Sequence, residues 1–538
     1  PQVEKTFGFY WAQTYDPTGA SFSDGFVNEN GVTIATNACT GIYEDDIMPT
    51  KDGGIGYGIR RLMAERATSA RHAVDIAIDL LGKYGYFSEG RTYTIADPKE
   101  AWQLAIHQGN TWVARRVKDN EVIYIPNNFM MDKVDATDTE NVIVAPGMIE
   151  RAIKNGRYKP AKEGVYSDFN YRVAVAPAHR RSADYNYSRN NLAWNKIIGK
   201  NITDAEQFPY SATPTKKFGV EDVKDLLRTH EADIEKQDKQ WLHTNSLGIC
   251  RATTHESVVF EMNENPLFIT GYRAMARPCE TPYVPFFPLA RPAEGTSFMD
   301  PATATAEHFK GTPERFSFRS DWPVFDFVKV ANVHEFQRQD QKDNKAFVAK
   351  IEKELTQEVP AVAAHAQMLL KVSEDKAVDY MHAYNVRAFN EAHAAMLERL
   401  AEVAPHTVTV MADSIDPKSE KTVDVVLFSG AKFDATKADV KQTWGGVGRA
   451  SIGNKITMGN KLAQPVKAEA RDVDGDGKKD MVFTFTQKAL AQNMLAGATY
   501  DIWLHTYVGG ERVAAMDTAF IETEGYKGPA KRTQNADL

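Results

Sequence analysis

The segment from Thr92 to Met131, TYTIADPKEAWQLAIHQGNTWVARRVKDNEVIYIPNNFMM, constrains the fold more than any other part of the sequence. Ile95, Trp102, Leu104, Trp112, Val117, Ile123 and Ile125 supply apolar or aromatic positions, and Asp97-Pro98, Gln108-Gly109 and Lys118-Asp119-Asn120 supply turns. That pattern predicts a succession of short strands, four in all. A meander of this kind makes an antiparallel sheet with one face on a core. It ends in Pro126-Asn127-Asn128, at the mouth of the last strand. A carboxamide held by a rigid strand can donate a hydrogen bond to a developing oxyanion. The same two amides can also simply close a turn.

The chain has 538 residues, 43% of them hydrophobic and 25% charged, which suits several domains with sizeable cores. A formal charge of −8 and a pI near 6.0 give no electrostatic case for binding nucleic acid. No apolar run of about 18 residues exists to span a membrane. The first residues, PQVEKTFGFYWAQ, carry neither a basic n-region nor an apolar h-region, which suggests a processed or partial product. Cys39, Cys250 and Cys279 make no CxxC-type metal spacing, and an odd number leaves at least one thiol free or paired outside the chain.

Around the meander the elements read as α+β. Residues 1–40 read as strand, turn and strand, with Asn30-Gly31 as a tight turn. Residues 57–85 turn helical: Ser69 caps a helix whose Ala73, Ile76, Ala77 and Leu80 share a face, and Gly82 and Gly85 close it. Residues 132–245 read as irregular, rich in Asn, Tyr and Arg, apart from a short amphipathic helix over 220–230. Such a stretch can wall a cleft or be solvated loop. Residues 343–403 are helical, with Pro360 opening one helix, and Ser373 capping another that carries a stripe of Ala377, Tyr380, Met381, Tyr384, Ala388 and Leu397. From Pro405 six short β-branched runs predict a β-sandwich over about 405–525, followed by a polar tail at 526–538.

Two constellations can carry chemistry. In Asp472-Val-Asp474-Gly-Asp476-Gly477-Lys478-Lys-Asp480, carboxylates recur at positions 1, 3, 5 and 9 of a Gly-kinked loop. Oxygen ligands so spaced suit calcium, with Asp472, Asp474, Asp476, Lys478 and Asp480 as the candidate ligand positions. Phe483 stands where a helical EF-hand loop needs a bidentate Glu, so this is a strand-flanked relative that would brace the sandwich. The alternative is an acidic surface turn. The second constellation is Arg251, Thr253, Thr254, His255 and Glu256, a polar cluster that suits either a substrate carboxylate or a structural ion pair. The thirteen histidines form no HExxH or other zinc pattern, and there is no GxSxG and no P-loop. Cys39, like Cys250 and Cys279, reads as a buried apolar residue.

The ordered set PQVEKTFGFYW, GFVNENGVTIA, ARHAVDIAIDLLGKYG, ADPKEAWQLAI, TWVARRVKDNEVIYIPNNF, GICRATTHESVVFEM and RPCETPYVPFF resembles the C69 family of bacterial dipeptidases over roughly residues 1–400. These are N-terminal-nucleophile hydrolases related to penicillin V acylase, bile salt hydrolase and acid ceramidase. The resemblance implies an αββα sandwich over residues 1–404 and hydrolysis of amide bonds in short peptides. It implies an N-terminal cysteine whose thiol attacks and whose own α-amine acts as base, an amine whose ordinary pKa of about 7.7–8.0 suits the task. It also implies an oxyanion hole in which Asn28 gives its backbone N–H and Asn127 its side chain, and places Arg251, with Thr253 and His255, near substrate. The family's nucleophile falls before Pro1, so the expectation is an attacking cysteine on a segment outside this chain, a separate N-terminal fragment being one form of it. The calcium-type loop resembles those of secreted bacterial proteins, so an extracellular or periplasmic location is expected, and oligomers are compatible with the sequence. The alternative is an inactive extracellular scaffold or adhesive protein on the same fold.

Overall fold

The computed structural model describes residues 2–14, 21–22, 25–42, 50–231, 243, 247–251, 254–291, 323–334, 338–447, 462–492 and 498–523. The architecture mixes helix and sheet, as an α+β chain should. The first sheet has seven strands that follow one another in sequence order, all antiparallel. They are β1 (Phe9–Tyr10), β2 (Gly25–Asn28), β3 (Thr33–Ala38), β4 (Arg91–Ala96), β5 (Ala101–Ile106), β6 (Trp112–Val117) and β7 (Val142–Val144). The tight turn between β2 and β3 forms at Asn28–Val32, where Gly31 takes a φ of 76° that a side chain would resist.

Helices α1 (Ile59–Arg66) and α2 (Ala70–Tyr84) pack on this sheet. Ser69 caps α2 by accepting from the His72 N–H, and Gly85 ends it. Val74, Ala77 and Leu81 are buried against the sheet with Tyr93, Trp102 and Leu104. Burial stabilises each large side chain by about 1.5–3 kcal/mol. Asp97 ties the layers together: its Oδ2 accepts from the Ala70 N–H at 2.7 Å, and its Oδ1 accepts from Lys99 and Glu100 in the β4–β5 turn.

Three of the four strands expected between Thr92 and Met131 are β4, β5 and β6. The fourth departs from expectation: Val122–Ile123 leaves the sheet and pairs with Ser211–Ala212. That exit carries the following segment to the end of β3, where Asn37 donates to the Ile125 carbonyl and Asn127 to the Ala38 carbonyl. The region read as irregular holds a further surprise, the fifteen-residue helix α3 (Asp184–Ile198). Its buried face is polar in the first half (Asn186, Arg189 and Asn190) and apolar in the second (Ala193, Trp194 and Ile197), so its apolar stripe is too short to mark the whole helix in sequence. The expected short helix is α4 (Val220–Leu227).

A second antiparallel sheet comprises β8 (Glu256–Glu261), β9 (Thr270–Met275) and β10 (Tyr283–Phe286). It touches the first sheet through Tyr10, whose ring meets Phe260 and Phe286. Helices α5 (Val324–His334), α6 (Arg338–Thr356), α7 (Val359–Leu370) and α8 (Glu374–Val403) follow, and share an apolar core with β9 and β10. Ser373 caps α8 and Pro360 lies in the first turn of α7. Along α8, Ala377, Met381, Tyr384 and Ala388 are buried, but Tyr380 and Leu397 are exposed and do not join the stripe.

After Pro405 come two four-stranded sheets with one common apolar core. One runs β11 (Val408–Val410), β13 (Thr422–Leu427), β16 (Asp480–Thr486), β15 (Lys467–Arg471). The other runs β12 (Ser414–Ile415), β18 (Glu511–Ile521), β17 (Ala498–Val508), β14 (Trp444–Val447). The six expected runs are all strands; β12 and β14 are additional, being too short or too Gly-rich to be seen in sequence. Trp503 and Ala514 of the second sheet pack on Val333 of α5 and Leu400 of α8. The expected tail at 526–538 lies outside the described residues.

Candidate active site

The end of β3 is where polar groups converge. Asn37 sends Nδ2 to the Ile125 carbonyl at 3.0 Å, and Asn127 sends its own Nδ2 to the Ala38 carbonyl at 3.2 Å. Two carboxamides thus bridge the strand end to the 125–127 segment. Asn186 of α3 pairs with both backbone groups of Asn127, accepting from its N–H at 3.2 Å and donating to its carbonyl at 3.3 Å. Arg189, one helical turn on, donates Nη1 to Asn127 Oδ1 at 2.9 Å and Nη2 to Asn186 Oδ1 at 3.0 Å. A guanidinium can only donate, so it fixes which end of the Asn127 amide is oxygen. Nδ2 is then aimed at the end of β3, with one hydrogen on Ala38 and its second uncommitted among the described residues.

Arg251 completes this wall. Arg189 lies under the influence of Arg251, Tyr124 and Tyr185, and Arg251 under that of Tyr124, Cys250 and Tyr185. Burial followed by Arg251's charge pulls the Arg189 guanidinium down to about 10, and burial lowers Arg251 as well. Burial pushes the Tyr124 phenol up to about 12 against the pull of both arginines. Among the described residues neither guanidinium pairs with a carboxylate. Two adjacent cations in a half-dry wall stabilise an incoming anion, and a carboxylate matches the guanidinium fork.

The structure does not bring Asn28 to this place. Asn28 ends β2, whereas Asn127 meets the far end of β3, five residues and about 17 Å along the strand. Asn28 is fully buried, its N–H donates to the Val32 carbonyl at 3.1 Å, and its Nδ2 donates to Ala64 and Ala67 carbonyls at 2.9 and 2.8 Å. Its Oδ1 accepts from Asn30 and Val32. Every donor is committed to joining the β2–β3 turn to α1, so the oxyanion role expected of Asn28 is corrected to a structural one. Asn37 and Arg189 stand instead beside Asn127. The available sequence signal for Arg189 was helical spacing, with Asn186, Arg189 and Asn190 running on to the apolar Ala193, Trp194 and Ile197 along one face.

Of the expected substrate-binding group, only Arg251 reaches the cluster. Thr253 lies outside the described residues. His255 is exposed, and its carbonyl accepts the Ala276 N–H, extending the β8–β9 ladder. Ala276 takes a φ of 92°, a strain on the order of 1–3 kcal/mol for a residue with a Cβ. Cys39 is buried beside Thr92, and burial pushes its thiol up to about 12, which removes it as a nucleophile at neutral pH.

In the acidic loop, Asp472, Asp474 and Asp476 bring carboxylate oxygens within 4.8 Å of one another. Gly475 and Gly477, with φ of 80° and 85°, make the kinks this needs. Asp480 and Lys478 do not join them. Asp480 is fully buried and its two oxygens accept from the Ser429 and Val473 N–H groups at 2.9 Å each. The Lys478 ammonium sits on Asp476 Oδ2 at 2.6 Å and, having no lone pair while charged, offers a metal nothing from its side chain. The cysteines and histidines carry no metal motif in sequence, yet donor atoms of His230, His243, Cys250 and Cys279 lie within 4.8 Å of one another. Their spacing in sequence matches no short motif because the long α4–β8 connection and the β9–β10 turn supply them.

The model of peptidase family C69 matches residues 19–346. A probable dipeptidase of Latilactobacillus sakei is 24% identical over 300 residues, covering 53% of this chain and 62% of that protein. A probable dipeptidase of Salmonella dublin is 26% identical over 217 residues, covering 39% and 48%. Dipeptidase A of Lactobacillus helveticus is 27% identical over 209 residues, covering 37% and 42%. The matched stretch spans less than two thirds of each of these relatives. With the family model covering more than half of the chain, this protein belongs to peptidase family C69.

Proposed function

We propose that this chain forms the body of a secreted bacterial dipeptidase whose attacking thiol belongs to an N-terminal cysteine outside the chain. The observation that carries the reading is the Asn127 amide, locked by Arg189 at the strand end and near the guanidinium of Arg251, which meets no carboxylate among the described residues. In this reading the two sheets with α1–α2 on one side and α5–α8 on the other are an N-terminal-nucleophile αββα sandwich. The sheets after Pro405 are an immunoglobulin-like β-sandwich braced by calcium on Asp472, Asp474 and Asp476.

The chemistry then runs as follows. The cysteine's α-amine takes the thiol proton, and the thiolate attacks the peptide carbonyl carbon. The C=O pair of electrons moves to oxygen, and the second Nδ2 hydrogen of Asn127, with Asn37 beside it, meets the negative charge. The oxyanion collapses, the C–N bond breaks, and the α-ammonium returns its proton to the leaving amine. Water hydrolyses the remaining thioester with the same amine as base. Arg251 and Arg189 hold the free carboxylate of the dipeptide. Asn127 is a donor made before the reaction, and removal of one such donor elsewhere costs about 10²–10³ in kcat.

The test is reconstitution. The chain is produced alone and with an added N-terminal cysteine segment, as a fusion or a co-expressed fragment, and assayed on dipeptides. Hydrolysis only in the completed form supports the proposal. Hydrolysis in neither form favours the non-catalytic scaffold instead.

A further inference from the structure

We propose that His230, His243, Cys250 and Cys279 form a closed, tetrahedral zinc site that staples the α4–β8 connection to the β9–β10 turn beside the candidate active site. The residues arrive from different places. His230 follows α4, His243 stands in the segment after it, Cys250 precedes Arg251, and Cys279 lies in the turn after β9. Even so, one donor atom from each lies within 4.8 Å of all the others.

The separations fit one cation. Bonds of about 2.3 Å to sulfur and 2.0–2.1 Å to nitrogen at tetrahedral angles give edges of about 3.8 Å for S–S, 3.6 Å for S–N and 3.3 Å for N–N. The structure has 3.6 Å between Cys250 Sγ and Cys279 Sγ. His243 Nε2 lies 3.5 Å from Cys250 Sγ and 3.3 Å from Cys279 Sγ. His230 Nε2 lies 3.1 Å from His243 Nε2. A hydrogen-bonded cluster needs no such common centre. A disulfide needs its sulfurs at about 2.0 Å, and the thiols here are free.

The surroundings suit a structural metal. His230, His243 and Cys250 are 4%, 2% and 1% exposed and Cys279 is half-buried, so four protein ligands can close the site with little room for water. Glu280 Oε1 lies 3.9 Å from His243 Nδ1, on the side away from the sulfurs' contact with Nε2, and Glu280 is itself paired with Arg277. At 3.9 Å this carboxylate is beyond hydrogen-bond distance, but its negative charge behind the ring favours a metal-bound imidazole. The Thr229 carbonyl accepts the N–H groups of both Ile249 and Cys250, holding the His230 and Cys250 loops together. A Cβ on Gly248 would fall 2.6 Å from the Cys250 carbonyl oxygen and 3.3 Å from His230 Cα, so the loops approach more closely than any larger residue allows.

Charge balance favours zinc over harder cations. Two thiols lose their protons to solvent as two Zn–S bonds form, so one Zn²⁺ with two thiolates and two neutral imidazoles is uncharged and can be buried. Thiolate and imidazole donors select zinc over calcium or magnesium. The bound ion would fix Cys250, and through it the backbone of the adjacent Arg251.

The test uses the whole chain purified under reducing conditions without chelator, with metal content measured by mass spectrometry. The expected result is one zinc per chain, retained in Cys39→Ser and in Asp472→Asn. Cys279→Ser and His243→Ala are each expected to lower bound zinc at least about tenfold. Cobalt exchanged into the wild type should give a thiolate-to-cobalt charge-transfer band and intense tetrahedral ligand-field bands, a readout that needs no variant to fold. Wild type that holds no zinc after reconstitution and gives no such cobalt spectrum overturns the proposal. So does a Cys250–Cys279 disulfide in the native protein.

Discussion

Arg189 Nη1 donates to Asn127 Oδ1 at 2.9 Å, and that one contact decides which face of the Asn127 amide meets the end of β3. It links a helix with a polar buried face to the segment that leaves the meander. It also places a buried cation next to Arg251, so the same side chain orients a donor and contributes to an anion-binding wall.

The wall gives a specificity prediction. Arg251→Gln should raise KM for a dipeptide about 10–100-fold, the range expected when a charge-assisted hydrogen bond worth about 1.5–3 kcal/mol is lost. The same variant should leave KM for the C-terminally amidated dipeptide nearly unchanged. Equal losses on both substrates would remove the carboxylate-binding role. The comparison is made by steady-state kinetics on the completed enzyme.

A second prediction concerns the seam between α5 and the last two strands. Asp501 of β17 faces Lys329, Asp326 and Asp517, and burial pushes its carboxyl up to about 6. A carboxyl raised in the folded state favours folding at low pH, and that contribution is lost as pH rises from about 3.8 to 6. Asp501→Asn should therefore stabilise the protein at pH 7.5, by on the order of 1–3 kcal/mol. The gain should shrink below pH 6 and vanish below about pH 4. Thermal melts across that range check it.

The buried histidines act in the other direction. Burial lowers His107 to about 4 and His505 to about 3. As pH falls below 6.5 the unfolded chain takes up protons that the folded chain refuses, so stability drops. By pH 5 each contributes a loss on the order of 1–2 kcal/mol. His505→Gln should flatten the dependence between pH 7 and 5, measured by urea unfolding.

Calcium should raise the melting temperature, by the equivalent of about 3 kcal/mol at a hundredfold excess over Kd. A chelator should reverse the shift and Asp472→Ala should abolish it. Asp480→Asn should instead lower stability without calcium present, because both its oxygens hold backbone N–H groups in a buried place.

The periodic and capped parts of this fold were readable from residues alone. Ser69, Ser373 and Pro360 mark helix starts, Asn30-Gly31 marks the β2–β3 turn, and the β-branched runs after Pro405 mark strands. The site was readable only in part. Asn127 and Arg251 carry residue types suited to their positions, but what joins them is the first half of α3, whose inward residues there are Asn186, Arg189 and Asn190, with Trp194 and Ile197 buried only further along. Hydrophobic periodicity cannot register the turns of a helix that bury amides and a guanidinium. Asn28 shows the converse: a polar residue in a tight turn whose hydrogen bonds are all consumed by packing onto α1. The His–Cys cluster escaped because His230, His243, Cys250 and Cys279 are joined by tertiary structure and by no local spacing.

The central claim is that Asn127 donates to the oxyanion. Its most direct test is kcat for dipeptide hydrolysis by the completed enzyme, wild type against Asn127→Ala. The account predicts a fall of about 10²–10³ in kcat with KM changed little. An Asn127→Ala enzyme that folds, melts like the wild type and keeps its kcat would contradict it.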